Sequence, residues 1–273
     1  MSKGISLHLG LNAVDPAHYG GWSGELVACE ADANDMASLA SSANFGSSTV
    51  LLTKQATRAA LEKGMKDAAQ ELKAGDILLL TYSGHGGQLP DLNGDEPDAM
   101  DETWCLYDGE QPDDVLYHQL SLFEKGVRVL VLSDSCHSGS AIKDTMLSAA
   151  AANPSPIRYR AMPPAIAQRT YLRNKSEYDR ILKDMTLKEP KVECSALLIS
   201  GCQDNQLSQD GTFNGLFTGT LKTIWNGGTF KGGYRAFHKA IVKRMPPDQT
   251  PNYFKAGIAN KPFEKQKPFT VVA

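Results

Sequence analysis

No stretch of this 273-residue chain stays apolar for the roughly 18 positions that a membrane-crossing helix needs. The N-terminus, MSKGISLHLGLN, lacks the long apolar core of an export signal. Charge of one sign is not in excess either. Lys and Arg number 28 against 31 Asp and Glu, a net charge of −3 that points to no nucleic-acid and no membrane partner. The five cysteines, Cys29, Cys105, Cys136, Cys194 and Cys202, are odd in number, widely spaced and free of any CxxC pair. That pattern argues against a disulfide framework and against a structural zinc site. Together these absences imply a cytoplasmic protein with free thiols and enough chain to bury an ample core.

Short apolar runs recur at 5–11, 49–53, 76–83, 127–134, 195–202 and 268–272. They are rich in Leu and β-branched residues without strict alternation, as strands buried on both faces of a parallel sheet should be. Helical patterns lie between them at 31–43, 57–73, 115–125, 213–225 and 233–245, with Thr57 as an N-cap of the second. Alternating strand and helix signals predict an α/β domain of three layers, with a six-stranded, mostly parallel central sheet. One segment breaks the rhythm. Residues 143–193 pass from an Ala-rich run through NPSP and MPPA into a basic stretch holding Lys143, Arg158, Arg160, Arg169, Arg173, Lys175, Arg180, Lys183, Lys188 and Lys191. A loop of that length within a compact domain is usually functional or mobile, the alternative being a surface insertion with one exposed helix.

Two strand ends carry chemistry. Residues 77–87, ILLLTYSGHGG, put His85 just after one apolar run, and 130–139, LVLSDSCHSG, put Cys136 just after the next. Ligands of open parallel sheets bind beyond the carboxyl ends of the strands, and consecutive strands tend to be neighbours. Thiol and imidazole then meet at one rim, where the imidazole can activate a thiolate and later protonate a leaving group. Backbone N–H groups of Gly86 and Cys136 are candidates for an oxyanion hole. His137 is a rival base, ranked below His85 because adjacent side chains on an extended stretch diverge.

YSGHGG followed by SDSCHSG resembles the caspase-like cysteine peptidases, in particular the metacaspases and their prokaryotic relatives, the orthocaspases. Histidine and cysteine stand 51 positions apart here, close to the caspase separation of about 50. The later stretches LLISGCQDNQ and NGLFTGTL resemble the small-subunit part. The resemblance implies the caspase fold and a single catalytic domain over 1–273. Its large-subunit-like part is 1–142, its basic linker 143–193 and its small-subunit-like part 194–273.

Asp134, two residues before Cys136, points to the nucleophile's side and selects a basic side chain before the cut. By resemblance, Asp32 of the stretch Cys29-Glu30-Ala31-Asp32, together with Ser83, completes that pocket; the structural alternative for Asp32 is a place at a helix start. The expected activity is endopeptidase cleavage after Arg or Lys in peptides and proteins, with self-cleavage in 143–193 or occlusion of the cleft by it. A permanent internal cation plugging the acidic socket, or the thiol and imidazole lying on opposite edges of the sheet, would overturn that activity. The acidic loop 91–102 suits calcium as an activator, and the resemblance assigns Asp101, Asp113 and Asp114 to it. No cofactor is required for the chemistry itself, and the resemblance implies a monomer. The alternative function is a catalytically silent caspase-like scaffold.

Overall fold

The computed structural model describes residues 2–92, 99–136, 158–186, 191–202 and 208–271. Its central sheet runs β11-β9-β7-β3-β1-β2. The strands are β1 (Gly4–Gly10), β2 (Ser47–Leu52), β3 (Ile77–Ser83), β7 (Arg128–Asp134), β9 (Ser195–Ser200) and β11 (Asn252–Gly257). All neighbours are parallel except β11, which runs antiparallel to β9. Five of the six expected runs are therefore strands. The sixth, 268–272, is not: its described residues lie on no strand, Phe269 has φ +59°, and Phe269 and Val271 are buried. The Thr270 and Val271 carbonyls accept hydrogen bonds from the buried Arg128 guanidinium, so this segment seals the start of β7.

Helices cover both faces. On one, Leu61, Met65 and Ala68 of α2 (Arg58–Glu71) pack on Leu7, Leu78, Leu80 and Val129. Thr57 starts that helix, its Oγ1 accepting from the Ala60 N–H at 3.1 Å. The other face carries α1 (Cys29–Ser42), α6 (Leu216–Trp225) and α7 (Tyr234–Val242). These bury Met36, Phe217, Leu221 and Phe237 against Ile77, Leu79, Leu130 and Leu132. Because side chains alternate along a strand, odd positions of β3 and even positions of β7 look toward α1 and α6.

A second, three-stranded antiparallel sheet was not legible in the apolar pattern. It comprises β4 (Gly86–Pro90), β5 (Met100–Leu106) and β6 (Gly109–Pro112), and α3 (Asp113–Leu120) follows it. The described part of the basic segment is built into the body of the protein. It gives β8 (Arg158–Tyr159), α4 (Pro164–Arg173) and α5 (Lys175–Thr186). β8 pairs antiparallel with β10 (Gln209–Asp210), and the short α8 (Lys261–Lys265) precedes the last buried residues. Among the described residues no helix is long and apolar enough to cross a membrane.

His8 lies within β1, its Nδ1 2.8 Å from Thr81 Oγ1 and its Nε2 buried without a hydrogen-bond partner. Burial pushes its pKa down to about 3. Above the ordinary value of 6.5 both folded and unfolded chains hold it neutral; below 6.5 only the unfolded chain takes the proton, so stability falls with pH until about 3. Between pH 6 and 4 the wild type should lose about 1.4 kcal/mol per pH unit more than His8→Gln, measured by urea unfolding. The comparison must be between the two proteins, because Glu110, its buried carboxyl pushed up to about 8, contributes the opposite slope over that range. Parallel slopes would refute the assignment to His8.

Candidate active site

The register of β3 and β7 builds the site. Ser83 and Asp134 are direct partners at the ends of these parallel strands. Two residues further on each chain stand His85 and Cys136, so the two turns leave the sheet side by side. The His85 backbone is pinned: its carbonyl accepts from Tyr82 Oη at 2.6 Å and from the Cys105 N–H at 2.9 Å. Its Nε2 lies 2.9 Å from the Gly24 carbonyl oxygen. A carbonyl only accepts, so Nε2 carries the proton and Nδ1 holds the free lone pair. Nδ1 is buried without a partner, and burial lowers the imidazole pKa to about 4, keeping it neutral. Gly24 has φ +54°, and a Cβ there would stand 3.0 Å from the His85 ring, so the close approach of this carbonyl needs glycine.

Asp32, Ser83 and Asp134 converge on one guanidinium, that of Arg160, which is fully buried. Arg160 Nη1 donates to Ser83 Oγ at 2.8 Å and lies 3.0 Å from Asp134 Oδ2. Arg160 Nη2 donates to Asp32 Oδ2 at 2.7 Å and to Asp210 Oδ1 at 2.9 Å. The Asp134 carboxylate is further held by Ser208 Oγ (2.8 Å), the Thr218 N–H (3.0 Å) and Thr218 Oγ1 (2.8 Å). Asp32 accepts from Asn214 Nδ2 at 2.8 Å and from the Gly215 N–H. It caps no helix, since it lies inside α1, whose N-cap position is Ala28. Burial and the neighbouring Asp134 charge raise the Asp32 carboxyl, while Arg160 pulls it back. Asp35, its neighbour on α1, pairs with Lys222 instead.

Arg160 thus fills the acidic socket with a cation that belongs to the chain itself. Its backbone is as informative as its side chain. The Arg160 carbonyl oxygen accepts from the Gly86 N–H at 3.0 Å and the Cys136 N–H at 3.1 Å. Its N–H donates to the Ser208 carbonyl at 3.0 Å, continuing the pairing of Tyr159 with Gln209 and Arg158 with Asp210. On the other side the Met162 N–H donates to the Gly86 carbonyl at 2.7 Å. Residues 158–162 therefore lie extended across the rim, with Ala161 packed against Cys136. The Cys136 sulfur accepts from the Ser208 N–H.

Sequence reasoning missed Asp210, Ser208 and Arg160. Asp210 lies on a two-residue strand too short to give a periodic signal, Ser208 stands just before it, and Arg160 was one of ten similar cations. Asp101 sits buried on β5, and Asp113 and Asp114 form the first turn of α3. Among the described residues no three His, Cys, Asp or Glu side chains gather as a metal site. His137 and Lys143, with Asp95, Glu96 and Asp98 of the acidic loop, fall outside the described residues.

The family model of the caspase domain, a peptidase family, matches residues 13–269. The chain belongs to that family of cysteine peptidases. A crystal structure of protein GSU0716 from Geobacter sulfurreducens is similar throughout, with a TM-score of 0.90 and 58% identity, covering 99% of this chain and 100% of that one. Caspase-1 from Spodoptera frugiperda shares the fold, with a TM-score of 0.52 at 9% identity, over 94% of this chain and 86% of its own. Metacaspase-1A of Aspergillus clavatus is 35% identical over 155 residues, 51% of this chain and 34% of that protein. Metacaspase-1 of Emericella nidulans is equally similar, over 37% of its length. The match thus spans about a third of these metacaspases.

Arg160→Gln would leave three buried carboxylates without their cation. Stripping one partner from a buried pair costs about 3 kcal/mol or more. That loss should appear locally, as release of 158–160. With the thiol removed (Cys136→Ala), amide hydrogen exchange at Gly86, Cys136 and Arg160 should quicken by about 100-fold, since about 1.4 kcal/mol is a factor of ten. Unchanged protection would mean that the guanidinium does not hold the strand.

Proposed function

We propose that this chain is a metacaspase-type endopeptidase that cuts after arginine, and less readily after lysine, and that its own Arg160–Ala161 bond is a substrate. One observation carries the reading: the Arg160 carbonyl rests between the Gly86 and Cys136 N–H groups while its guanidinium fills the acidic pocket. A side chain buried only for stability has no need to present its own carbonyl to an oxyanion hole. This cation arrives as a substrate would, on an extended strand, and departs with it.

The chemistry follows from the groups around that carbonyl. His85 Nδ1 takes the Cys136 proton, and the sulfur adds to the Arg160 carbonyl carbon. Charge developing on the oxygen is met by the two N–H groups already 3.0 and 3.1 Å away. The C–N bond to Ala161 breaks, and the imidazolium returns its proton to the departing nitrogen. Water, deprotonated by the same imidazole, then releases the Arg160 carboxylate from the thioester. Arginine is favoured because acceptors are split between its two terminal nitrogens, Ser83 and Asp134 on Nη1, Asp32 and Asp210 on Nη2. A lysine ammonium reaches only part of that set. Calcium enters none of these steps.

Wild-type protein should convert to fragments of 160 and 113 residues with a new N-terminus at Ala161. Cys136→Ala should remain whole on the same denaturing gel. If intact-mass measurement finds both proteins uncut, and no arginine substrate is turned over, the reading is wrong. For added peptides, Asp210→Asn should lower kcat/KM for arginine substrates by about 10- to 100-fold, as loss of a charged hydrogen bond does, and narrow the gap between arginine and lysine. An unaltered Arg-to-Lys ratio would remove Asp210 from the specificity pocket.

A further inference from the structure

The two sides of the Arg160–Ala161 bond are held very differently. Before it, residues 158–160 depend on the acidic pocket and on a two-residue strand pairing. After it, the chain is part of the core. Met162 is fully buried among Val14, Tyr19 and Cys105. Pro163 and Pro164 start α4, which buries Ala167 and Thr170. On α5, Glu177 pairs with Arg58 at 2.6 Å. Tyr178 is fully buried against Leu89. Its hydroxyl accepts from the Glu110 N–H at 3.0 Å and is hydrogen-bonded to His18 Nε2 at 2.7 Å. Close to the bond itself, a Cβ on Gly87 would come within 2.7 Å of the Met162 methyl, so β4 and the chain after the cut fit without spare room.

The leaving group of an ordinary peptidase diffuses away; this one has nowhere to go. Resting on the self-cleavage reading above, we propose that the α-amine freed at Ala161 stays beside Cys136 as a resident acyl acceptor. The processed enzyme would then transfer arginine-ended acyl groups from its thioester to its own new N-terminus, in competition with hydrolysis. In that step the neutral Ala161 amine attacks the thioester carbonyl carbon and the C–S bond breaks. The thiolate leaves, and the surplus amine proton passes to His85. It is the reverse of the acylation half of self-cleavage, and it needs no added reactant beyond the acyl donor. Retention sets the rate advantage, since a tethered nucleophile beside the reacting carbon acts at a far higher effective concentration than a free one.

The test is to incubate fully processed enzyme with acetyl-Arg-Tyr-Arg methyl ester, which copies residues 158–160, and to weigh the fragments. The fragment beginning at Ala161 should gain one acetyl-Arg-Tyr-Arg unit, located by fragmentation at its α-amine. The modified fraction should climb as pH passes about 8, where α-amines lose their proton. Hydrolysis of the ester with that fragment unmodified from pH 7 to 9, or modified only on lysines, overturns resident transfer and leaves the peptidase reading standing. A chain that neither cuts itself nor consumes the ester overturns both.

Discussion

A single guanidinium among three buried carboxylates organises this molecule around its functional rim. Arg160 joins Asp32 from α1, Asp134 from the end of β7 and Asp210 from the short strand β10, so four distant segments meet at one charge. Such a cluster is tolerable in a dry interior only because nearly every oxygen has a donor: Ser83, Ser208, Asn214 and Thr218 supply them. The acids outnumber their cation. On the proposed reading, that imbalance serves a pocket that receives a positive side chain.

The same cluster explains how a basic linker becomes part of the fold. Residues 158–162 occupy the rim as a strand, while α4 and α5 pack beside the small antiparallel sheet. The Arg160 carbonyl and side chain cannot both be seated without covering Cys136, which is fully buried; on the proposed reading, occlusion and substrate presentation are one geometry.

Much of this was legible in the chain. Strands buried on both faces announce themselves as unbroken apolar runs, and β1, β3, β7 and β9 did so. His85 and Cys136 stood out because each follows such a run within two or three residues. The last sheet strand was misplaced because PFTVV reads as a strand by composition, whereas Asn252–Gly257 is half exposed at an edge and shows no apolar pattern. The small sheet after His85 was hidden for a similar reason: it contains Gly86, Gly87, Pro90 and Gly109, residues that signal turns. Asp210 gave no local sign at all. Its meaning comes from meeting Arg160 across 50 positions of sequence, and tertiary pairing of that kind leaves no periodic trace.

The pairing of Ser83 with Asp134 has an implication for how such a protein can change. Both pocket residues and both reactive groups are counted off from that one rung in steps of two. Deleting or adding a single residue in either turn would invert which face the sulfur or the imidazole occupies. Length variation is therefore barred from the two short turns and diverted to the connections between elements, where the long linker is found.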